Sequence, residues 1–185
     1  MILLVITISC LSLLFAVYLA RYVLRHDMGT DKMQAISNAI KEGAEAFLSR
    51  QNRTIILFSS VLAVLIFLLY AFVRTPSPAD PVPPAQMAFW TTFSFVLGAL
   101  CSVVAGYVGM WVSIRANIRT AAAVRSSLNE ALKIAMRGGA VSGLFVVAMS
   151  LLGVGGLYAL LEYLGHDPQK IPFTIVGYGF GASFV

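Results

Sequence analysis

The 185-residue chain is 59% hydrophobic and only 11% charged, with 13 lysine and arginine residues against 8 aspartate and glutamate residues. Soluble domains have about 25% charged residues and about half apolar ones, and a mean hydropathy of +0.86 lies far from that class. This composition excludes an ordinary soluble domain, a disordered tail and a disulfide scaffold. The net charge of +5 does not indicate nucleic-acid binding, because the basic residues flank long apolar runs.

The apolar runs predict an all-α, polytopic membrane bundle, since about 20 helical residues cross a hydrocarbon core of about 30 Å. Four runs are long enough to cross, and a fifth begins near the end of the chain. The predicted spans are 1–24, 54–73, 87–114, 140–163 and, incomplete, 173–185. A cleaved signal peptide is the alternative for the first run. No basic residue precedes that run, and Arg21 and Arg25 lie at its end, so we expect a retained helix within a single membrane domain, 1–185.

Two segments limit these spans. Prolines recur within residues 75–84 and predict a loop between the second and third spans. The run 173–185 corresponds to about 20 Å of helix, which is too short to cross the hydrocarbon core. We interpret it as the opening of a fifth span in a longer chain, with a short re-entrant tail as the alternative.

Basic residues predict the orientation. The connections after the first and third spans hold Arg21, Arg25, Lys32, Lys41, Arg50, Arg53, Arg115, Arg119, Arg125, Lys133 and Arg137. The other two connections hold only Arg74 and Lys170. The positive-inside rule then makes the two long connections cytoplasmic and the N-terminus external. We expect a multi-pass integral membrane protein of the bacterial inner (plasma) membrane.

Residues 31–53 and 118–139 are predicted to be cytoplasmic helical extensions, each continuous with the span that follows. The first begins at Asp31 as a candidate N-cap. Apolar residues recur at three- and four-residue spacing in both extensions. The first stripe is Met33, Ile36, Ile40, Ala44 and Phe47, and the second is Ile118, Ala121, Leu128, Leu132 and Ala135. Lipid headgroups are one possible cover for these stripes, but the acidic residues among them favour packing against other helix extensions.

Candidate chemistry is sparse. No acidic residue lies in the middle of a span, so no ion path is visible. Glu42 and Glu45 are interpreted as a solvated helix face. His26 and His166 fall on opposite sides of the membrane in this topology, and each is interpreted as a surface histidine. The two cysteines, Cys10 and Cys101, lie inside apolar runs and are interpreted as unpaired.

Glycines suggest close helix packing. Residues 177–182 fit the dinucleotide-binding pattern G-x-G-x-x-A, but they lie in an apolar membrane segment without the strand and acidic residue that this site needs. Packing of helices through small residues is favoured instead. The same interpretation applies to Ala105, Gly109, Gly139, Gly143, Gly153, Gly155 and Gly156.

Three segments resemble the membrane-bound pyrophosphatases, which are ion pumps driven by pyrophosphate hydrolysis. They are QAISNAIKEGAEAFL at 34–48, AGYVGM at 105–110 with RANIRTA at 115–121, and GYGFGAS at 177–183. The resemblance implies a homodimer whose subunit is a bundle of sixteen spans with an external N-terminus. This chain would supply the first four spans and the opening of the fifth. It also implies close packing at Gly43, Gly106, Gly109 and Gly179, and a cytosolic interface at Arg115 and Arg119.

The resemblance further implies Mg²⁺ as cofactor, with K⁺ as a candidate activator and pyrophosphate as substrate. The family's hydrolytic centre follows the fifth helix, so its ligands are expected beyond Val185. We therefore assign no catalytic, substrate-binding or metal residue, and we expect this chain to be inactive scaffold by itself. Protons and sodium both stay open as the pumped ion. The alternative function is a small non-enzymatic helical membrane subunit, complete at Val185.

Overall fold

The computed structural model describes residues 1–75 and 82–185, and no strand occurs within these ranges. The helices are α1 (Ile2–Leu24), α2 (Asp31–Leu68) continued by a π-helical turn (Leu69–Val73), α3 (Pro84–Val124), α4 (Leu128–Tyr163), α5 (Ile171–Thr174) and α6 (Val176–Phe184). Helices α1 to α4 are each long and apolar enough to cross a membrane. The all-α polytopic class is therefore confirmed. The predicted proline-rich loop falls largely on residues 76–81, which lie outside the described ranges.

Three of the long helices exceed what a membrane crossing needs. The second helix with its π-helical turn has 43 residues, α3 has 41 and α4 has 36. At about 1.5 Å per residue, each is more than about 50 Å long, whereas the hydrocarbon core is about 30 Å thick. A substantial part of each helix therefore extends beyond the core.

The stretch 118–139 is not one helix, contrary to the prediction. Helix α3 ends at Val124 and α4 begins at Leu128. The Ser126 hydroxyl donates to the Ala123 carbonyl oxygen at 3.1 Å, and Glu130 donates its backbone N–H to the Ser127 hydroxyl at 3.3 Å. Serine hydroxyls thus satisfy backbone groups at both helix ends, which makes a turn favourable here.

The start of α2 also differs from the prediction. Gly29 has a positive φ of 73°, which turns the chain after α1. The Thr30 hydroxyl then accepts from the Met33 backbone N–H at 3.4 Å. Thr30 is therefore the N-cap, and Asp31, predicted for that role, is the first helical residue.

The described residues form two compact units. The first comprises Met1–Ser9, Asn52–Val103 and Met149–Val185, and the second comprises Cys10–Gln51 and Val104–Ala148. The expectation of one membrane domain stays a prediction.

In the first unit, Tyr178 of α6 is the largest fully buried side chain. It packs with Leu157 and Leu161 of α4, with Ile171 of α5 and with Ile175 between α5 and α6. A Cβ atom added to Gly153 would overlap the Tyr178 ring, so the glycine provides the space that the ring occupies. The buried Tyr178 ring, with Gly153 facing it, holds α6 against α4.

Helix α6 also lies against the backbone of α3 in the first unit. A Cβ atom on Gly177 would overlap the carbonyl oxygen of Thr91, and one on Gly181 would overlap that of Phe95. From the opposite helix, a Cβ atom on Gly98 would overlap the Tyr178 carbonyl oxygen. The prediction of close packing at Gly177 and Gly181 is confirmed, because only glycines permit this backbone approach.

In the second unit, α1, α3 and α4 share a core. Val23, Ala116 and Ile134 form one buried cluster, and a second contains Ala16, Leu19, Val112 and Val141. The buried positions at the start of α4 are Ala131, Ile134, Gly138 and Val141. Leu128, Leu132 and Ala135 of the predicted stripe are exposed within the described residues, so their packing against other helix extensions stays a prediction. Helix α4 lies close to α3: a Cβ atom on Gly138 would be 2.8 Å from the Cβ atom of Ala116. Such close approach requires small residues, which a search for large apolar residues does not identify.

The remaining glycines differ in whether they contact a neighbouring helix. A Cβ atom on Gly109 would lie 3.0 Å from the Ser142 hydroxyl oxygen, which confirms close packing there. In the described part of the chain, nothing lies within 4 Å of a Cβ atom built on the glycines at 43, 106, 139, 143, 156 and 179. These six glycines therefore make no close helix contact within the described residues, and their packing against further helices of a longer protein stays a prediction.

Candidate functional site

The sequence assigns no catalytic, substrate-binding or metal residue, and the structure offers no metal centre in residues 1–75 and 82–185. Nowhere in those ranges do three or more His, Cys, Asp or Glu side chains meet in a group that could hold a metal ion. Cys10 is exposed and Cys101 is half-buried, and both are free thiols. Glu45 pairs with Lys41 at 3.8 Å across one exposed helix turn.

The most connected polar group is the Glu130 cluster, which consists of Tyr22, His26, Glu130, Lys133 and Arg137. The Tyr22 hydroxyl donates to Oε1 of Glu130 at 3.0 Å, and Nε2 of His26 lies 3.4 Å from the same oxygen. Lys133 donates from Nζ to Oε2 at 3.4 Å. The Arg137 guanidinium stacks on the Tyr22 ring, 3.8 Å from its centroid. One carboxylate thus gathers groups from two helices.

Helical spacing brings these side chains together. Tyr22 lies in the last turn of α1 and His26 two residues after its end, and their ring centroids are 4.7 Å apart. Glu130, Lys133 and Arg137 recur at three- and four-residue spacing along α4, on one face of the helix. The cluster therefore joins the C-terminal end of α1 to the first turns of α4.

Glu130 is held in its charged form. It lies in the first turn of α4, ahead of the apolar stretch that begins near Ala140. The hydrogen bond from Tyr22 and then that from Lys133 lower the pKa of Glu130 below its usual 4.5, against a smaller opposing effect of burial. The cluster is therefore a set of charge-assisted contacts at ordinary pH.

Arg119 makes a second connection to the end of α1. It is 9% exposed, and its Nη2 donates to the carbonyl oxygen of Leu24, the last residue of α1, at 3.1 Å. Its Nη1 donates to the Arg115 carbonyl oxygen at 2.8 Å, while the Arg115 guanidinium stacks on Trp111, 3.8 Å from the ring centroid. Arg119 satisfies a helix-terminal carbonyl group and so fastens α1 to α3. Its interface role implied by the resemblance stays a prediction.

The first residues of the two predicted apolar stripes line an open groove. The groove has a volume of about 350 Å³ and is lined by Met33, Ile36, Ser37 and Ile40 of α2 and by Ile114, Asn117, Ile118 and Ala121 of α3. Ile36 is 65% exposed and Ile40 is 57% exposed. The stripes therefore face a common space, but they do not cover one another.

Sequence reasoning missed the Glu130 cluster. From the sequence, His26 is interpreted as a surface histidine, and no contact is predicted for Glu130, Lys133 or Arg137. Two local signals exist, namely the four-residue spacing of Tyr22 and His26 and the S-x-x-E capping pattern at 127–130. Neither signal shows which helices meet. The cluster joins hydrogen-bonding groups at the end of α1 to a carboxylate of α4, so it is suited to holding these two segments together.

Comparison with known proteins identifies the family. A family model described as inorganic H⁺ pyrophosphatase matches residues 10–185. The pyrophosphate-energized membrane proton pump 3 of Arabidopsis thaliana is 43% identical over 192 aligned positions, which cover 98% of this chain and 24% of that protein. The K⁺-insensitive pyrophosphate-energized proton pump 2 of Moorella thermoacetica is 45% identical over 175 positions, covering 95% of this chain and 23% of that protein.

A similar pump from Methanosarcina mazei is 41% identical over 176 positions, again covering 95% of this chain and 23% of its own length. The chain thus spans about a quarter of the curated relatives that it matches. The matches cover nearly the whole chain and come from a plant, a bacterium and an archaeon. Together with four apolar helices of spanning length, it shows that this chain belongs to the inorganic H⁺ pyrophosphatase family.

Proposed function

We propose that the chain is the N-terminal quarter of a pump that couples hydrolysis of pyrophosphate to two phosphates with proton translocation. The observation that carries this proposal is identity of 41–45% to proteins named as pyrophosphate-energized proton pumps, over 95–98% of this chain. The relatives' names favour protons over sodium as the pumped ion. The names of the Moorella and Methanosarcina relatives also favour independence from K⁺.

The role of these 185 residues in such a pump is scaffold. The described ranges contain no group of side chains that fits Mg²⁺, so no step of the hydrolysis is assigned to them. Their structural groups connect helices instead: Arg119 and the Glu130 cluster hold the end of α1, and glycines bring α6 against α3. We expect the Mg²⁺ and pyrophosphate sites in the rest of the pump, and no hydrolysis by the 185 residues alone.

The family resemblance and the charge pattern support three further parts of the proposal. The N-terminus is external, because basic residues concentrate in the connections after the first and third spans. The full pump is a homodimer in the lipid bilayer. Its location is the bacterial inner membrane, for which the Moorella relative is the support, while the Arabidopsis relative shows that the family also extends to plants.

The native reading frame across the codon for Val185 is the first test. We expect it to continue into further spans with clustered aspartates and lysines on the cytoplasmic side. The full protein, reconstituted in liposomes, should then release phosphate from pyrophosphate only with Mg²⁺ and acidify the vesicle interior without added Na⁺ or K⁺. Residues 1–185, reconstituted identically, should do neither. A stop codon after Val185 would support a small non-enzymatic subunit instead, and hydrolysis by residues 1–185 would contradict the scaffold role.

A further inference from the structure

His26 presents both ring nitrogens to hydrogen-bond acceptors. Its Nδ1 lies 2.9 Å from the carbonyl oxygen of Tyr22, and its Nε2 lies 3.4 Å from Oε1 of Glu130. A carbonyl oxygen and a carboxylate oxygen accept hydrogen bonds and donate none. Both nitrogens therefore need a proton to interact favourably, and only the imidazolium has two.

A neutral His26 loses one of these interactions. With its proton on Nδ1, the ring turns the Nε2 lone pair toward an anionic oxygen. With its proton on Nε2, the ring turns the Nδ1 lone pair toward the Tyr22 carbonyl oxygen. Glu130 does not supply the missing proton, since Tyr22 and Lys133 stabilise its carboxylate form. Protonation of His26 thus replaces a repulsion with an ion pair.

Neighbouring charges set the balance. Glu130 on α4 and Tyr22 on α1 contact the ring directly. Lys133 and Arg137 on α4 and Arg119 on α3 bind its neighbours Glu130, Tyr22 and Leu24, and Arg25 and Asp27 adjoin it along the chain. Glu130, at 3.4 Å, is the charge in direct contact with the ring.

We propose that the Glu130 cluster is a proton-sensitive clasp, which binds the end of α1 to α4 tightly when His26 is protonated and loosens when His26 is neutral. The clasp lies wholly within the second compact unit. It does not depend on the proposed pump activity, and its test needs no turnover.

The direction of the pH effect follows from the charges. The stabilisation requires the imidazolium, so it is present in acidic solution and is lost as the pH rises, because deprotonation leaves one ring nitrogen facing an acceptor without a hydrogen. It also requires ionised Glu130, whose pKa lies below 4.5, so it is lost again in strong acid. The clasp is therefore tightest between these two titrations.

The test is the thermal stability of the full-length protein in detergent, read as the fraction that stays monodisperse after heating. The variants are His26→Phe, which keeps an aromatic ring beside Tyr22, Glu130→Gln and the double variant. At about pH 5.5, where histidine is charged, we expect His26→Phe to lower the midpoint by about 2 °C or more. The double variant should fall no further than Glu130→Gln alone. At about pH 8, His26→Phe should have little effect.

Two further variants make the result specific. His166 is the matched control, because its ring packs on Trp90 with centroids 6.1 Å apart, and His166→Phe should have the same effect at both pH values. His26→Arg keeps a positive charge throughout and should preserve stability at about pH 8. An equal loss for His26→Phe at both pH values, or additive losses in the double variant, would overturn the proposal. If His26→Arg fails to fold, the comparison of His26→Phe with His166→Phe still decides.

Discussion

The hydroxyl of Tyr178 on α6 donates a hydrogen bond to the carbonyl oxygen of Met149 on α4, 2.9 Å away. The ring that carries this hydroxyl is 2% exposed and lies against Gly153, one helical turn after Met149. Because its far end is held by the hydrogen bond, the ring has little freedom to swing aside. This pair of residues therefore determines how tightly α6 lies against α4.

Gly153→Ala is expected to destabilise the full protein by about 1–3 kcal/mol, the usual cost of excess volume in a packed core. The added methyl group overlaps a buried and hydrogen-bonded ring. Gly156→Ala is the matched control, three residues along the same helix, where a Cβ atom meets nothing within 4 Å in the described chain. Thermal stability in detergent measures both, and equal losses would contradict the role assigned to Gly153.

Gly109→Leu is expected to lower the yield and stability of the full protein. The first added carbon would already lie 3.0 Å from the Ser142 hydroxyl oxygen on α4, and the isobutyl group needs space beyond it. Gly106→Leu changes the same helix where the described chain leaves open space. Unchanged yield and melting behaviour for Gly109→Leu, measured beside Gly106→Leu, would argue against close packing of α3 on α4.

Arg119→Met is expected to destabilise the protein by about 1.5–3 kcal/mol, the range for a hydrogen bond to a charged group. Methionine keeps much of the aliphatic volume but leaves the Leu24 and Arg115 carbonyl oxygens without the guanidinium. Arg125→Met is the control, because Arg125 is exposed in the turn after α3, and it should change stability by less than about 0.5 kcal/mol. Limited proteolysis near residues 25–30 should also accelerate only in Arg119→Met, since the end of α1 loses its anchor.

Cysteine labelling tests the orientation. In full-length protein whose other cysteines, Cys10 and Cys101 included, are replaced by alanine, Asp80→Cys should react with a membrane-impermeant maleimide on intact cells. Asn129→Cys should react only after permeabilisation. Asn129 is exposed, so replacing it leaves the interactions of the neighbouring Glu130 intact. The opposite pattern would place the N-terminus in the cytoplasm and contradict the proposed topology.

The sequence predicted the helical class well because long apolar runs leave few alternatives in a bilayer. It predicted packing less well. Leu128, Leu132 and Ala135 form a regular stripe, yet the face that packs inward holds Ala131, Ile134 and Gly138. In water, a hydrophobic stripe indicates the buried face, whereas between membrane helices close approach favours small residues. Glycines are similarly ambiguous, since Gly109 packs closely and Gly106, one turn away, does not.

The Glu130 cluster was beyond sequence reasoning for a different reason. Tyr22 and Glu130 are 108 residues apart, and their contact depends on how α1 and α4 associate. The S-x-x-E pattern at 127–130 indicates a helix start, which the structure has, with the Ser127 hydroxyl as the cap. The Glu130 carboxylate is instead bound by Tyr22 and Lys133. The S-x-x-E pattern thus predicts where α4 begins, but it does not predict that Glu130 contacts Tyr22 of α1.

The glycine contacts between α3 and α6 have a mechanical consequence. Gly98, Gly177 and Gly181 leave no side chain between the facing backbones. At most helix interfaces, a side chain between two helices can change its rotamer and so accommodate a small displacement of one helix. Here no side chain lies between the two helices, so a displacement of α6 toward α3 brings its backbone directly against the carbonyl groups of Thr91 and Phe95. Within their unit, these two helix segments are therefore expected to move together.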